Sequence, residues 1–524
     1  MRHLLCWLLL CFALGVSCRA ELEVYPGLPG GMYSSDKYTV RVRPVTAAGD
    51  AAVGFVDTPV FQYARGYRPA PRVSLAHLAD NHWTTISLGV DSCSAQAEFE
   101  LACVGTEITR WEILPSTAAT QVGLVGGRLR FRMSPNTRLA LLVNGERQAP
   151  LFVFCDPLDP YKPDLLSADV AVIEPGTTSA EHPLQLSAVA HSRVIAFPPG
   201  IHFVGKGFAL TSDNGTRIAG NQVRHIHIAG GALVIGSIRA PFVKGLRVSG
   251  RGILCGEEAY GYADTGGYTK DRIFNSAVAM ASYGDESPSG QEVEGITSIM
   301  PLKYHIQVGA HALVKNVKCF SFRHTTDGVG AGAFSTIRDC FFKVNDDVVK
   351  LYCDGIVAMD LSVWHQDNGA VFQLGWHGSQ ATGCRVSGVT LYSDDSYHAK
   401  SGQKHWSNHV VINWHSSKSV KGSTPVHRGH LFEDFNTRGM PPVKVWRFLA
   451  INMDGSCGDA GTVGGIVQDL RIERIRLGDE QLGSYVGATI GRSEATLSFK
   501  DCWLGQRPLD AASLKTVGAV TIRP

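Results

Sequence analysis

The sequence predicts an all-β protein in which an N-terminal antiparallel β-sandwich is followed by a right-handed parallel β-helix. Three observations lead there. Fifty-seven glycines accompany only 18% charged residues, the composition of a chain with many tight turns and few solvated helices. The first third reads as alternating apolar and polar strands, whereas the remainder shows short strand-like runs recurring at roughly twenty-odd residues, the mark of a solenoid. At 524 residues the chain also exceeds what one core normally serves, so two units are expected.

The first twenty residues stand apart from the fold. Arg2 and His3 precede an unbroken apolar run from Leu4 to Val16, and Cys18-Arg19-Ala20 ends in a small residue suited to cleavage. The run is too short to span a bilayer, and no later segment is long and apolar enough to do so. Residues 1–20 are therefore read as a signal peptide and the protein as secreted. Lipidation at Cys18 is the weaker alternative, because Gly15 stands where an aliphatic residue is usually wanted.

Residues 21–175 are assigned to the sandwich and its linker. The strands KYTVRVRP, WTTISLGV, AEFELACV, RLRFRMSP and RLALLVNG alternate in hydropathy, with Asn144-Gly145 as a hairpin turn. Prolines 157, 160 and 163, then IEPGTTSAEHP, read as the linker. Residues 176–524 are assigned to the β-helix, with rungs such as RVIAFPPGIHFV, LVKNVKCFSF, STIRDCFFKV, IVAMDLSVWH and IVQDLRIERIRL. A solenoid buries each coil only against its neighbours, so the first coil needs a cap, which the sandwich or the joining chain can supply. The period is irregular, and the loops 257–294 and 393–406 are natural groove walls.

With 49 basic and 47 acidic residues the chain is nearly neutral. That removes the electrostatic case for nucleic acid or an anionic membrane as partner, and weakens the case for a strongly acidic polymer. Cys93 and Cys103 flank a polar turn and can pair in an oxidising compartment, whereas Cys319 and Cys340, just before Phe320 and Phe341, read as an apolar stack in successive coils. His225-Ile226-His227 reads as one face of a strand, and there is no CxxC pair, so no metal is called for. Asn214-Gly215-Thr216 is a glycosylation sequon, meaningful only in a eukaryotic secretory pathway.

The residues that ask for a chemical explanation are Asp327 in HTTDGVG and Asp346-Asp347 in VNDDVVKLY. Adjacent aspartates on a strand-like run point to opposite faces, which is wasteful as structure. Asp327 and Asp346 lie one coil step apart, so stacking would gather three carboxylates on one surface. Glycoside hydrolysis with inversion needs one protonated carboxyl and one ionised carboxylate about 6.5–9.5 Å apart, and clustering supplies the reason for their different protonation. Lys350 shares a face with Asp346 if the run is extended. Tyr352, Trp364 and Trp376 can stack on sugar rings or pack in the core. Asn345, His365, Gln366, Asn368 and Gln373 offer hydrogen bonds, and Asp394-Asp395 between serines reads as a polar turn.

PGxxxV near the start of the solenoid, GGALVIGS, GRGILCGEE, TTDGVG, VNDDVVKLY and FQLGW, with APLFVFCDPLD at the domain junction, resemble glycoside hydrolase family 49, the dextranase and isopullulanase family. The more distant polygalacturonases of family 28 share a pectin-lyase-like β-helix and three aspartates, but their Gly-His-Gly is matched here only by Trp376-His377-Gly378, and Arg-x-Lys is missing. The resemblance implies Asp346 as general acid, Asp327 and Asp347 as the water-activating pair, and a substrate-binding set of Asn345, Lys350, Tyr352, His365, Gln373 and Trp376. It implies no cofactor, a monomer, and a polysaccharide partner, most directly an α-glucan with dextran-type α-1,6 or pullulan-type linkages. A hydrolase or lyase for a galacturonan, and a non-catalytic carbohydrate-binding solenoid, are the alternatives.

Overall fold

The computed structural model describes residues 21–45, 54–63, 80–89, 96–211, 218–241, 243–256, 276–281, 290–301, 303–323, 325–375, 379–397, 409–415, 424–452, 464–489 and 491–523. The leader, Cys93, the sequon at Asn214, Trp376 and most of both predicted wall loops lie outside these residues.

The N-terminal part is a sandwich of a six-stranded and a five-stranded sheet. Its core comes from the alternation in the sequence. Val40, Val42, Phe99, Leu101 and Phe131 on one sheet face Ile86, Leu88, Leu139, Leu141 and Val153 on the other. One pair departs from the antiparallel expectation, because Asn81–Leu88 runs parallel to Leu151–Pro157. Leu151–Pro157 is buried on both faces, which is why LFVFC reads as a continuous apolar run. Asn144 and Gly145 both take left-handed backbone (φ 54° and 75°), but the register Leu141↔Leu151 makes the connection longer than a two-residue hairpin.

The rest of the described chain forms one 33-stranded sheet system of stacked parallel rungs, a parallel β-helix. Each central coil contributes three short strands. Leu313–Lys315, Lys318–Phe320 and Val329–Ala331 are followed by Thr336–Arg338, Phe341–Lys343 and Val349–Lys350, then by Val357–Met359, Ser362–His365 and Ala370–Gly375. Val314, Ile337 and Ala358, Cys319, Phe342 and Val363, and Val329, Val349 and Phe372 stack inward as three columns of one continuous core. Cys319 and Cys340 both sit in that core as free thiols. They are not equivalent, however, because the register pairs Cys319 with Phe342.

The sandwich does not cap the first coil. Its outward residues Trp83, Phe152 and Phe154 pack along the flank of the solenoid against Leu233, Ile253, Phe320, Phe341, Trp364 and Tyr392. Trp83 stacks on Phe320 with centroids 4.7 Å apart. Buried ion pairs lock the seam: Lys318 holds Asp156, and Arg251 Nε lies 3.8 Å from the same carboxylate. The N-terminal end of the solenoid core is instead covered by the joining chain, through Ile173, Leu184 and Val189. His225 and His227 share a strand face as their alternation predicts, and His227 Nε2 is tied to Asp159 Oδ2 at 2.7 Å.

Candidate active site

Asp327 and the Asp346-Asp347 pair occupy the same turn of successive coils, the one leading into the third strand. The pair lies in a bend before Val349–Lys350, not on a strand, so side-chain alternation does not apply. This is how neighbouring carboxylates come to share one side. The register Val329↔Val349 and Gly330↔Lys350 makes the local step twenty residues (349 − 329 = 20) and sets Asp327 beside Asp347, not Asp346. The Gly328 N–H donates to the Asp347 carbonyl at 2.9 Å, which fixes this stacking. From the following coil, Gly369 (φ +79°) closes against the bend so tightly that a Cβ there would lie 2.2 Å from the Asp346 carbonyl carbon.

Lys350 organises the cluster. Its Nζ lies 2.6 Å from Asp327 Oδ1 and also pairs with Asp347 Oδ2. The even-spacing argument linked Lys350 with Asp346, but the strand begins only at Val349, and the bend swings Asp347 toward the lysine. Asp347 Oδ1 accepts the Ala370 N–H and Asp346 Oδ1 accepts the Asp347 N–H, each at 2.9 Å. The rings of Tyr304 and Tyr352 flank the ammonium at 5.7 and 5.5 Å. Asp327 and Asp347 are buried, whereas Asp346 is half-buried.

Burial lifts the Asp327 carboxyl well above the usual carboxylate range, and the charges of Asp346 and Asp347 add to it, while Lys350 opposes. Burial alone would lower the Lys350 pKa, but Asp327 and Asp347 together raise it well above the ordinary lysine value. One ammonium faces three carboxylates whose nearest oxygens all lie within 4.8 Å of one another. Like charges gathered this closely oppose ionisation of the buried Asp327. The spacing is also tighter than the gap of about 6.5–9.5 Å usual for an isolated inverting pair.

The sequence-predicted binding residues fall into two groups. Lys350 and Gln373 belong to an outward column, Gln307–Gly330–Lys350–Gln373–Asn413, that runs across successive coils. Gln373 is covered, and its Oε1 accepts the Asn413 amide at 2.8 Å. Tyr352 is nearly buried beside Lys350. Asn345, by contrast, is fully buried and holds backbone: its Nδ2 donates to Phe322 O at 2.7 Å and its Oδ1 accepts the Asn368 N–H at 3.1 Å. Trp364 is a seam residue, with its indole N–H on Asp395 Oδ1 at 2.7 Å. His365 is fully buried as well.

Two features escaped the sequence reading. Tyr304 reaches the cluster from the preceding coil, where no motif marks it. Asp394 is not in a solvated turn but ends the strand Arg385–Asp394, with no exposure. It takes the His409 Nε2–H at 2.9 Å, the Trp446 N–H at 2.8 Å and the Ser396 N–H at 3.1 Å. Burial works against its charge, but His409 and His365 hold the carboxyl far below the usual range. Among the described residues, His365, Asp394 and His409 form a second group with ligand-capable atoms within 4.8 Å of one another. A run of serines and aspartates gave no hint of it, because His409 comes from the next coil.

No family model matches the chain. It is 26% identical over 220 residues to a dextranase of Arthrobacter globiformis, covering 39% of this chain and 33% of that enzyme. To an isopullulanase of Aspergillus niger it is 24% identical over 377 residues, 67% of this chain and 64% of the enzyme. The chain thus spans about a third of the length of the dextranases it matches and somewhat under two thirds of the isopullulanase. In structure it is similar to Dex49A from Penicillium minioluteum, with TM-score 0.64, 15% identity and 96% of each chain covered, a likeness of fold. The resemblance drawn from the carboxylate motifs therefore holds, and this chain is a homologue of the dextranases and isopullulanase of glycoside hydrolase family 49.

Proposed function

We propose that this protein is a secreted glycoside hydrolase that cleaves an α-glucan with inversion, by general acid/base catalysis with Asp327, Asp346 and Asp347. The observation that carries the reading is the sharing of Lys350 by Asp327 and Asp347 beside a half-buried Asp346. Asp346, with the freest approach to substrate, protonates the leaving glycosidic oxygen. Asp327 and Asp347 hold and deprotonate the attacking water between them.

Inversion fits this cluster despite its close spacing. Retention would need one carboxylate to attack the anomeric carbon directly. Asp327 or Asp347 would have to leave Lys350 to do so, stranding a buried charge. Pairing with the ammonium suits the two better to orienting a water than to covalent attack. Lys350 also has no free charge left for a uronate, which favours a neutral glucan over a galacturonan. Lys350 and Tyr352, beside the carboxylates, are the residues of the predicted sugar-binding set best placed to meet a substrate. The leader at 1–20, the sandwich with linker at 21–175 and the catalytic β-helix at 176–524 make up the chain, which acts as a monomer without a cofactor.

The test is reducing-sugar release from dextran, pullulan and polygalacturonate, with the product anomer read by NMR, for the parent and Asp346→Asn. Release from a glucan with inverted anomers, lost by about 10²–10⁴-fold in the variant, is expected. Retained anomers would overturn inversion, and hydrolysis of none of the glucans would overturn the substrate class.

A further inference from the structure

His365 was read from sequence as a sugar ligand, yet it is fully buried, and both its ring nitrogens face acceptors. Nε2 is within hydrogen-bond reach of the Gly369 carbonyl at 3.2 Å, and Nδ1 faces Asp394 Oδ2 at 3.6 Å, an electrostatic contact longer than a hydrogen bond. The backbone it touches leads straight to the carboxylates. Gly369 presses on the peptide between Asp346 and Asp347, and the next N–H, from Ala370, is the one given to Asp347 Oδ1. The Val348 N–H returns to the Ala370 carbonyl at 2.8 Å, so the turn is pinned from both sides.

We infer that His365, clamped by Asp394, is a positioning residue that sets the Gly369–Ala370 turn and through it the Asp347 carboxylate. The inference rests on the hydrolase reading for its kinetic consequences but not for its structural ones. Asp394 is suited to the clamp because its other contacts come from rigid places: two backbone N–H groups and the His409 ring. The His409 ring lies parallel on the His365 ring, with centroids 4.1 Å and planes 8° apart. That stack fixes the tilt of His365.

The experiment compares the parent with His365→Gln and Asp394→Asn, each checked for folding by circular dichroism. Steady-state kinetics on the glucan cleaved by the parent are paired with NMR of ¹³C-carboxyl-labelled aspartate, in which Asp347 is assigned through Asp347→Asn. Expected are a KM within about twofold of the parent, a kcat lowered at least tenfold, and a displaced Asp347 carboxyl resonance in both variants, with His365→Gln the milder because its amide can still donate to Gly369. An unmoved Asp347 resonance in a folded variant overturns the inference, as does a raised KM with unchanged kcat, which would make His365 a direct sugar ligand. If His365→Gln fails to fold, Asp394→Asn decides alone. Should the parent cleave none of the glucans, the α-glucan reading fails by itself, while the Asp347 resonance still decides the role of His365.

Discussion

Lys350 Nζ lies 2.6 Å from Asp327 Oδ1, reaching back one coil across Gly330, where no side chain stands between them. The lysine is the single cation paired within the three-carboxylate cluster among the described residues, so its removal leaves buried negative charge without compensation. Lys350→Met is expected to lower kcat by about 10²–10³-fold and to destabilise the fold by about 3–5 kcal/mol. Steady-state kinetics and urea unfolding check both. A stable variant with parental kcat would remove Lys350 from the machinery.

The acid can be identified by the leaving group. An aryl glycoside whose phenolate departs unaided does not need a proton donor. Asp346→Asn should keep about 10²-fold more of the parental rate on such a substrate than on the natural linkage, whereas Asp327→Asn and Asp347→Asn should lose both alike. Selective rescue of Asp327→Asn would instead make Asp327 the acid, consistent with a carboxyl that burial already lifts.

Gly369→Ala tests the close approach of two coils. The position has φ +79°, and the added Cβ would meet the Asp346–Asp347 peptide at 2.2–2.3 Å. Strained backbone alone costs about 1–3 kcal/mol, and a bend displaced by even about 1 Å can cost about 10²-fold in turnover. A crystal structure of the variant should show the bend moved. Parental activity with an unmoved bend would contradict the tight packing described.

Asp395 gives the seam a pH dependence. Burial pushes its carboxyl up to about 7, against the opposing charge of Lys343 and the Trp364 hydrogen bond, from an ordinary 3.8. Between those values the folded chain holds a proton that the unfolded chain has released. Stability therefore falls as pH rises from about 4 to 7, by at most about 1.4 kcal/mol per unit, and this contribution levels off above the folded pKa. Asp395→Asn should melt progressively higher than the parent as pH is raised from 5 to 8. Parallel melting curves across that range would rule the group out.

Much of this molecule was legible in its sequence. Period-two alternation located the sandwich strands, and the short runs around Cys319, Phe342 and Val363 located the rungs, because each puts apolar residues where a pleated strand must bury them. Three aspartates pointed to the cluster that the stacked coils bring together. What the runs do not encode is how many residues each turn consumes. The step is twenty from Val329 to Val349 but twenty-three from Val349 to Phe372 (372 − 349 = 23). Taking Asp327 and Asp346 as one coil step therefore paired Asp327 with the wrong neighbour, and the variable step hid the meeting of His365, Asp394 and His409. The polar residues Asn345 and His365 look like groove residues on paper. Only the stacked coils show that Asn345 holds the backbone of Phe322 and Asn368, and that His365 sits between the Gly369 carbonyl and the Asp394 carboxylate.

The docking of the sandwich along the flank has a mechanical meaning. A stack of coils joined only to nearest neighbours can peel away from an end, one rung at a time. Trp83, Phe152 and Phe154, seated on residues spread from Leu233 to Tyr392, act as a splint across several rungs, so that none of these can open without tearing the others from a shared surface. The rungs carrying the carboxylates lie within that splinted span. They should open only with the sandwich, as one cooperative unit, and keep their amide protons longer than the unsplinted rungs at the C-terminal end.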